Sequence, residues 1–249
     1  MVSVAIIDSG LNPNHPHVNG VAGGVGISPD GKVLSTDYLD YIGHGTAVAG
    51  AIREKAPDAA LYAVKVFDRA LTTDAAAIIR AIEWAIEREC KVINLSLGTL
   101  NMDHRREFER VVELARSREV ALVAAFRMSG QPSLPGCLPP VIAVEGDPDC
   151  PRDSFRPVFA DGNVIKPGAS PLYFLASTYP REIPGVPRER NLNGISFAVA
   201  NMTGFVARAM QEHRQTPVSS LKELLAGTAG STTNNSLKQA GMEHGLTRI

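Results

Sequence analysis

Between positions 193 and 204 the sequence reads Asn193-Gly194-Ile195-Ser196-Phe197-Ala198-Val199-Ala200-Asn201-Met202-Thr203-Gly204, a small, flexible lead-in followed by an apolar segment with helical potential. Ser196 stands where this helix, predicted from Phe197 to about His213, would have its N-cap. A serine at such a position caps the helix by accepting a hydrogen bond from a free backbone N–H. Alternatively, its hydroxyl acts as a nucleophile beside the free amides of the helix N-terminus. The rest of the chain decides between these uses.

The length and composition are those of an ordinary globular protein. The 249 residues are 44% hydrophobic and 20% charged, with a formal net charge of -1. We expect a single domain over 1–249, with its core in 1–213 and a loosely ordered tail over 227–249. The charge balance gives no reason to expect nucleic acid or an anionic membrane as a partner. No apolar run approaches the roughly 20 residues of a membrane span.

The cysteines and the N-terminus favour a reducing compartment. The chain enters its first predicted strand directly, without a basic n-region or a small-residue cleavage site. Three cysteines are present, Cys90, Cys137 and Cys150. An odd count without a secretory signal predicts reduced thiols in a cytoplasmic protein. A Cys137–Cys150 bridge remains open, and none of the three has metal-site spacing.

Strand and helix patterns alternate along the chain. Short apolar runs predict strands at 2–7, 60–67, 92–98, 120–126 and 141–145. Helical patterns begin near His44, after Thr73-Asp74, at 103–118, at 197–213 and at 221–226. This alternation indicates βαβ units, hence an α/β fold with a three-layer arrangement: a mostly parallel central sheet with helices on both faces. Turn residues predict a hairpin around 28–32, and 150–192 is predicted as surface loop with a short hairpin at 172–176.

Two further polar residues lie at the ends of predicted elements. Asp8 follows the first strand, where open α/β sheets keep their ligands, although a turn-initiating Asp is the alternative. His44 lies between two glycines at a helix start, where a structural role is the alternative. The order Asp8, His44, Ser196 supplies what serine catalysis needs: a hydroxyl, an imidazole that takes its proton, and a carboxylate that orients the imidazole.

From about residue 1 to residue 208 the chain resembles the subtilisin-like serine proteases, or subtilases. Five stretches carry the resemblance in the family's order: Val4–Gly10 is similar to the Asp motif, His44–Gly50 to the His motif, Leu61–Val66 to a core strand, Ile93–Gly98 to the substrate-binding strand, and Gly194–Ala198 to the nucleophile motif. The resemblance implies that Ser196 attacks the scissile carbonyl, that His44 is general base and then acid, and that Asp8 orients the histidine.

The resemblance also implies a peptide or protein substrate that binds as an added β-strand. The implied substrate-binding residues are Ser96, Leu97 and Gly98, the pocket wall Ala124, Ala125 and Phe126, and Ser133 at the pocket base. For Ala124 and Ala125, plain sheet core is the alternative.

The sequence departs from the family at the oxyanion hole. Subtilases usually carry an Asn whose side chain donates to the oxyanion; that position falls near Arg127 or Met128 here, and no Asn is present. In subtilisin itself, loss of this donor costs roughly 10²–10³ in turnover. The Ser196 N–H remains available, and Arg127, Ser129 or Gln131 are open as substitutes. Ile195 and Ala200 also replace the usual Thr and Pro of the nucleophile motif.

Two absences complete the prediction. The stretch 52–61 lacks the insertion that forms a calcium loop in many subtilases, so we expect no calcium and no other cofactor or metal. We also expect no pro-segment. Together these features favour a dedicated cytoplasmic protease that processes a peptide, by analogy with the family.

Three functions are therefore weighed. The first is a serine endopeptidase with the triad Asp8, His44 and Ser196. The second is a pseudoprotease that binds peptides without efficient chemistry, which the missing Asn favours. The third, an unrelated α/β hydrolase or nucleotide-binding module, lacks both a Gly-x-Ser-x-Gly motif and a phosphate-binding Gly-rich loop.

Overall fold

The computed structural model describes residues 1–160 and 169–229. Its strands are β1 Ser3–Asp8, β2 Gly23–Ile27, β3 Leu34–Ser35, β4 Ala60–Lys65, β5 Val92–Leu95, β6 Ala121–Ala125, β7 Arg127–Met128, β8 Gln131–Pro132, β9 Ile142–Asp147, β10 Phe155–Val158 and β11 Tyr173–Ser177. Its α-helices are α1 His44–Lys55, α2 Ala75–Glu87, α3 Arg105–Ser117, α4 Ile195–Glu212 and α5 Leu221–Ala229.

The main sheet of the described residues has nine strands in the order β10-β11-β9-β6-β5-β1-β4-β2-β3. The pairings from β11 to β2 are parallel, and the two outermost pairs, β10 with β11 and β2 with β3, are antiparallel. Ile6 of β1 lies opposite Asn94 of β5 on one side and Ala63 of β4 on the other. The carboxyl ends of the parallel strands therefore meet at one edge, where ligands bind in such sheets.

Helices cover both faces of this sheet, as the sequence predicts. In β1, Val4 and Ile6 pack with α1, α4 and α5, while Ala5 and Ile7 pack with α2 and α3 on the opposite face. Successive side chains of a strand point to opposite faces, so a strand covered twice must be apolar throughout, which is the pattern of the first predicted strand. The three-layer α/β fold is confirmed.

The region 150–192 differs from the prediction. We expected surface loop with a local hairpin at 172–176, but Tyr173–Ser177 forms β11 of the main sheet, parallel to β9 and antiparallel to β10. The hairpin predicted around 28–32 is confirmed by the pairing of β2 with β3. Of the tail predicted as loosely ordered, residues 227–229 belong to α5, while 230–249 and the part of the predicted loop at 161–168 lie outside the described residues.

The described residues form five α-helices, and a membrane span needs roughly 20 consecutive apolar residues. None of these helices combines the length and the apolar character that crossing a membrane requires.

Candidate active site

Asp8 and His44 meet at the carboxyl edge of the sheet. Asp8 is the last residue of β1 and is 1% exposed, and its Oδ1 lies 2.7 Å from Nδ1 of His44, the first residue of α1. The backbone N–H of Ser9 donates to the same oxygen at 2.7 Å. A carboxylate at Nδ1 holds the neutral ring in the tautomer with its proton on that nitrogen, which leaves Nε2 free to accept a proton.

Two glycines allow this approach. Gly43 has φ +89°, in the left-handed region that glycine adopts without strain. A Cβ on Gly45 would lie 2.2 Å from the carbonyl oxygen of Gly10 and 3.2 Å from Asp8 Oδ1. The start of α1 therefore lies directly against the end of β1, because position 45 has no side chain.

Asp40 is a second carboxylate at this site, and it was not among the residues predicted from the sequence. It accepts five hydrogen bonds, from the Ser9 hydroxyl, from the backbone N–H groups of Ile42, Gly43 and Thr46, and from the Thr46 hydroxyl. Gly43, the N-cap residue of α1, has no side chain that could cap the helix, so Asp40 accepts hydrogen bonds from the free N–H groups in its place. Asp40 lies three residues before the N-cap, outside the position at which a capping residue is recognised in a sequence, so local pattern gave no signal for it.

The two carboxylates set the protonation of His44. Burial favours the neutral ring, but the hydrogen bond to Asp8 and the negative charges of Asp8 and Asp40 outweigh it and raise the pKa of His44 above its usual value. An imidazolium formed during a reaction is therefore stabilised at this position.

Ser196 lies in the first turn of α4 and does not cap it. The N-cap is Gly194, which makes no side-chain cap, so the capping interpretation is wrong. Instead the Ser196 hydroxyl donates to the carbonyl oxygen of Ser96 at 3.3 Å, and the Ser96 hydroxyl donates to the carbonyl oxygen of Ser196 at 3.3 Å. The ring of the next residue, Phe197, is 5.5 Å from the His44 ring between centroids. α4 thus brings Phe197, the residue next to Ser196, against the His44 ring.

His44 is hydrogen-bonded to the aspartate but not to the serine. Among the hydrogen bonds of residues 1–160 and 169–229, none joins His44 to Ser196. The backbone N–H of Ser196 is also without a hydrogen-bond partner in the same ranges, as expected in the first turn of a helix. Catalytic hydrogen bonds are often long in the absence of substrate.

The comparisons with known proteins agree with this geometry. The model of the subtilase family matches residues 1–245. The chain belongs to the subtilase family. It is 33% identical over 244 residues to subtilisin NAT of Bacillus subtilis subsp. natto, covering 92% of this chain and 60% of that protein's length.

Solved structures share the fold of this subtilase. A cold-adapted subtilisin-like serine proteinase superposes with a TM-score of 0.65 at 21% identity, covering 91% of this chain and 81% of the other. The nisin leader peptidase of Lactococcus lactis superposes with a TM-score of 0.64 at 20% identity, covering 89% and 80%. Because these sequence identities are only 20% and 21%, the two superpositions show a shared fold and nothing more.

The segment predicted to bind the substrate backbone leaves β5 beside α4 in this subtilase. Ser96 accepts from the side-chain amide of Asn94, which in turn accepts from the Thr203 hydroxyl of α4, so the two elements are joined. Gly98 passes so close to Leu134 that a Cβ would lie 2.5 Å from the Leu134 carbonyl oxygen. Leu97 lies between these two attachments and is buried.

The predicted pocket residues have separate surroundings. Ala124 and Ala125 are buried in β6 and face opposite sides of the sheet, so their side chains do not form one wall. Ser133 is fully buried, and its hydroxyl donates to the Ala125 carbonyl oxygen at 2.8 Å. Phe126 stacks on Tyr173 of β11, with the ring centroids 5.2 Å apart.

The residues near the missing oxyanion Asn have other contacts. The Arg127 guanidinium pairs with Glu145 of β9 and lies 4.7 Å from the centre of the Phe126 ring. Met128 and Ser129 belong to the β7–β8 hairpin, where Ser129 has φ +50°. In this geometry the Ser196 N–H is free to donate to an oxyanion, whereas the Arg127 guanidinium is engaged by Glu145.

The described residues hold neither a disulfide nor a metal-ligand cluster. Cys90, Cys137 and Cys150 are free thiols. Within the described ranges, no group of three or more His, Cys, Asp or Glu side chains is arranged to hold a metal ion. The link from α1 to β4 is short, residues 56–59. The absence of a calcium requirement stays a prediction.

Proposed function

We propose that this chain is a serine endopeptidase in which Ser196 is the nucleophile, His44 the general base and Asp8 the orienting carboxylate. The observation that carries the proposal is the 2.7 Å contact between Asp8 and His44 at the sheet edge that α4 and Ser196 also reach. Family membership supports it independently, since the subtilase family model matches the whole stretch that carries Asp8, His44 and Ser196.

The reaction follows from these groups. The Ser196 hydroxyl leaves the Ser96 carbonyl, gives its proton to Nε2 of His44, and its oxygen bonds to the scissile carbonyl carbon. The carbonyl π electrons move to its oxygen, which accepts a hydrogen bond from the Ser196 N–H. The imidazolium then gives its proton to the leaving amine as the C–N bond breaks. Water, deprotonated by the same imidazole, hydrolyses the acyl-enzyme and restores the serine.

The substrate we propose is a peptide bound as an added strand along 96–98, and the role we propose is processing of a dedicated precursor in the cytoplasm. A solved structure with this fold is named a leader peptidase, which shows that the fold serves such processing in that protein. The free thiols fit a reducing compartment. Loss of the oxyanion Asn favours slow, selective turnover over bulk digestion.

A peptide-binding protein without efficient chemistry is the second candidate. The Ser196 hydroxyl donates to Ser96 rather than to His44, which favours this candidate. The pairing of Arg127 with Glu145 also favours it, because it engages the cationic donor that stands near the position of the missing Asn. In that case a peptide would still bind as an added strand along residues 96–98.

Proteolysis of a mixed peptide pool separates the candidates. Wild type, Ser196→Ala and the surface control Ser117→Ala are incubated with the pool, and new termini are identified by mass spectrometry. The proposal expects new termini with wild type and the control but none with Ser196→Ala. No cleavage by wild type, together with peptides retained by it, would support the binding protein instead.

A further inference from the structure

A cleft of about 520 Å³ opens beside the first turn of α1, the turn that carries His44. It is bounded by the loop after β1, the first turn of α1 and the loops that follow β11. The residues that matter here are His15, His17, Arg181, Ile183, Asn191 and Leu192.

The position of the cleft suits the part of a peptide that follows the cut. Its lining includes Gly43 and Thr46, on either side of His44, and Leu192, four residues before Ser196. It shares no residue with the 96–98 segment or with Phe126 and Ser133, which the family resemblance assigns to the part before the cut. A strand that crosses Ser196 from that segment therefore continues toward this cleft.

The cleft contains a guanidinium with no partner. Arg181 is half-buried, and its side chain has no ion pair or hydrogen bond with any residue in 1–160 or 169–229. The Asn191 side-chain amide donates to the Arg181 carbonyl oxygen at 3.2 Å, which fixes the backbone of this wall. A half-buried guanidinium without a counter-ion is matched best by a bound carboxylate.

The carboxylates nearby are already engaged. Asp40 lines the cleft, but its oxygens accept the five hydrogen bonds that hold the start of α1. Glu54, whose charge acts on His17, is paired with Lys55 and Arg152. Neither is free to neutralise Arg181.

Two histidines add hydrogen-bond donors. Nδ1 of His15 accepts from the His17 backbone N–H at 3.2 Å, so a neutral His15 ring carries its proton on Nε2 and can donate it. The two rings meet edge to face with centroids 5.1 Å apart. Burial and the charge of Arg181 lower the pKa of His17, so the permanent positive charge of the cleft comes from Arg181.

We propose that this cleft selects substrates with a carboxylate on the leaving-group side of the scissile bond, and that Arg181 is the specificity-determining residue. The inference rests on the proposed endopeptidase function. Ile183 and Leu192, 46% and 51% exposed, provide apolar contact for the methylene stem of a glutamate. The carboxylate is supplied either by a Glu side chain or by a free peptide C-terminus.

The test uses matched peptide pools and the full chain. One pair of pools has Glu or Gln at the three positions after each candidate cut, with amidated C-termini. A second pair has Gln at those positions and either a free or an amidated C-terminus close to the cut. Initial cleavage rates are measured for wild type, Arg181→Gln, Arg181→Lys and the control Arg106→Gln, an exposed arginine of α3.

We expect wild type to favour one carboxylate-bearing pool over its neutral partner by about tenfold, the usual size of a charge-assisted hydrogen bond. The pair that shows the preference identifies the source of the carboxylate. The preference should disappear in Arg181→Gln, remain in part in Arg181→Lys, stay unchanged in Arg106→Gln, and weaken as salt is added.

Equal rates for charged and neutral pools, or a preference that Arg181→Gln keeps, would overturn the inference while leaving the endopeptidase proposal in place. A chain that cleaves no peptide in any pool would count against both.

Discussion

His44 is the general base of the proposed mechanism, and its surroundings predict how kcat/KM depends on pH. The Asp8 and Asp40 carboxylates raise the pKa of His44 above its usual value near 6.5, against the effect of burial. Only the neutral ring accepts a proton, so kcat/KM should rise as pH climbs through the raised pKa, with an apparent value above 6.5. Removing the negative charge of Asp40 lowers the pKa of His44, so Asp40→Asn should move the acidic limb of the pH profile to lower pH. The control Asp30→Asn, on an exposed turn, should leave the acidic limb of the pH profile as it is in wild type. An acidic limb that stays in place in Asp40→Asn would contradict this account.

Gly45 sets the distance between β1 and α1. In Gly45→Ala the new Cβ would meet the Gly10 carbonyl oxygen at 2.2 Å, so the start of α1 must shift and carry His44 with it. Misplacing a catalytic group by about 1 Å costs on the order of 10²-fold in rate. We expect kcat/KM to fall by that order while circular dichroism shows an intact fold.

The control for this substitution is Gly227→Ala, in α5, where no atom lies within 4 Å of the added Cβ. Full activity in both variants would show that the close approach at Gly45 is not needed.

At the residue scale, the catalytic roles of Asp8, His44 and Ser196 stay predictions. The contact between Asp8 and His44 was predicted from residue types and their order. The five bonds to Asp40 were not, because they join parts of the chain that only the fold brings together. The capping alternative for Ser196 was wrong because helix α4 begins two residues earlier than predicted, at Ile195, with Gly194 as its N-cap.

At the scale of elements, the packing of α1 on α4 determines how closely His44 and Ser196 approach. Gly204 of α4 lies against α1, and a Cβ there would stand 2.8 Å from Lys55 Cβ and 3.2 Å from the Ile52 carbonyl oxygen. Gly204→Ala must therefore push the helices apart.

We expect Gly204→Ala to lower the free energy of unfolding by about 1–3 kcal/mol, as overpacking usually does, and to reduce turnover as well. Urea denaturation followed by circular dichroism measures the first effect. A variant as stable as wild type would mean that the helices accommodate the methyl group.

The predicted elements were reliable where a long apolar run or a strong amphipathic pattern was present. β1, β4, β5, β6 and β9 were all found in this way, and so were the helices. β10, an edge strand of mixed polarity, was missed, and β11 was predicted only as part of a local hairpin, because its parallel pairing with the distant β9 leaves no local signal. A short apolar run such as 173–177 fits a hairpin and a sheet strand equally well.

At the scale of the whole molecule, stability should not depend on calcium. The link from α1 to β4 is residues 56–59, too short for the insertion that forms a calcium loop in many subtilases. A metal that binds only the folded state raises the melting temperature, so we expect EDTA to leave the melting temperature of this chain unchanged. A calcium-binding subtilase measured in parallel should lose stability; a clear loss here would reveal a calcium site.

The central claim is that Ser196 is an activated nucleophile, and a fluorophosphonate probe tests it most directly. The protein is exposed to the probe, the intact mass is measured, and the adduct is located by peptide mapping. We predict one adduct, on Ser196, that is absent in Ser196→Ala and forms about 10²-fold or more slowly in His44→Ala, which lacks the general base. No adduct on wild type, under conditions that label an established subtilase, would contradict the claim.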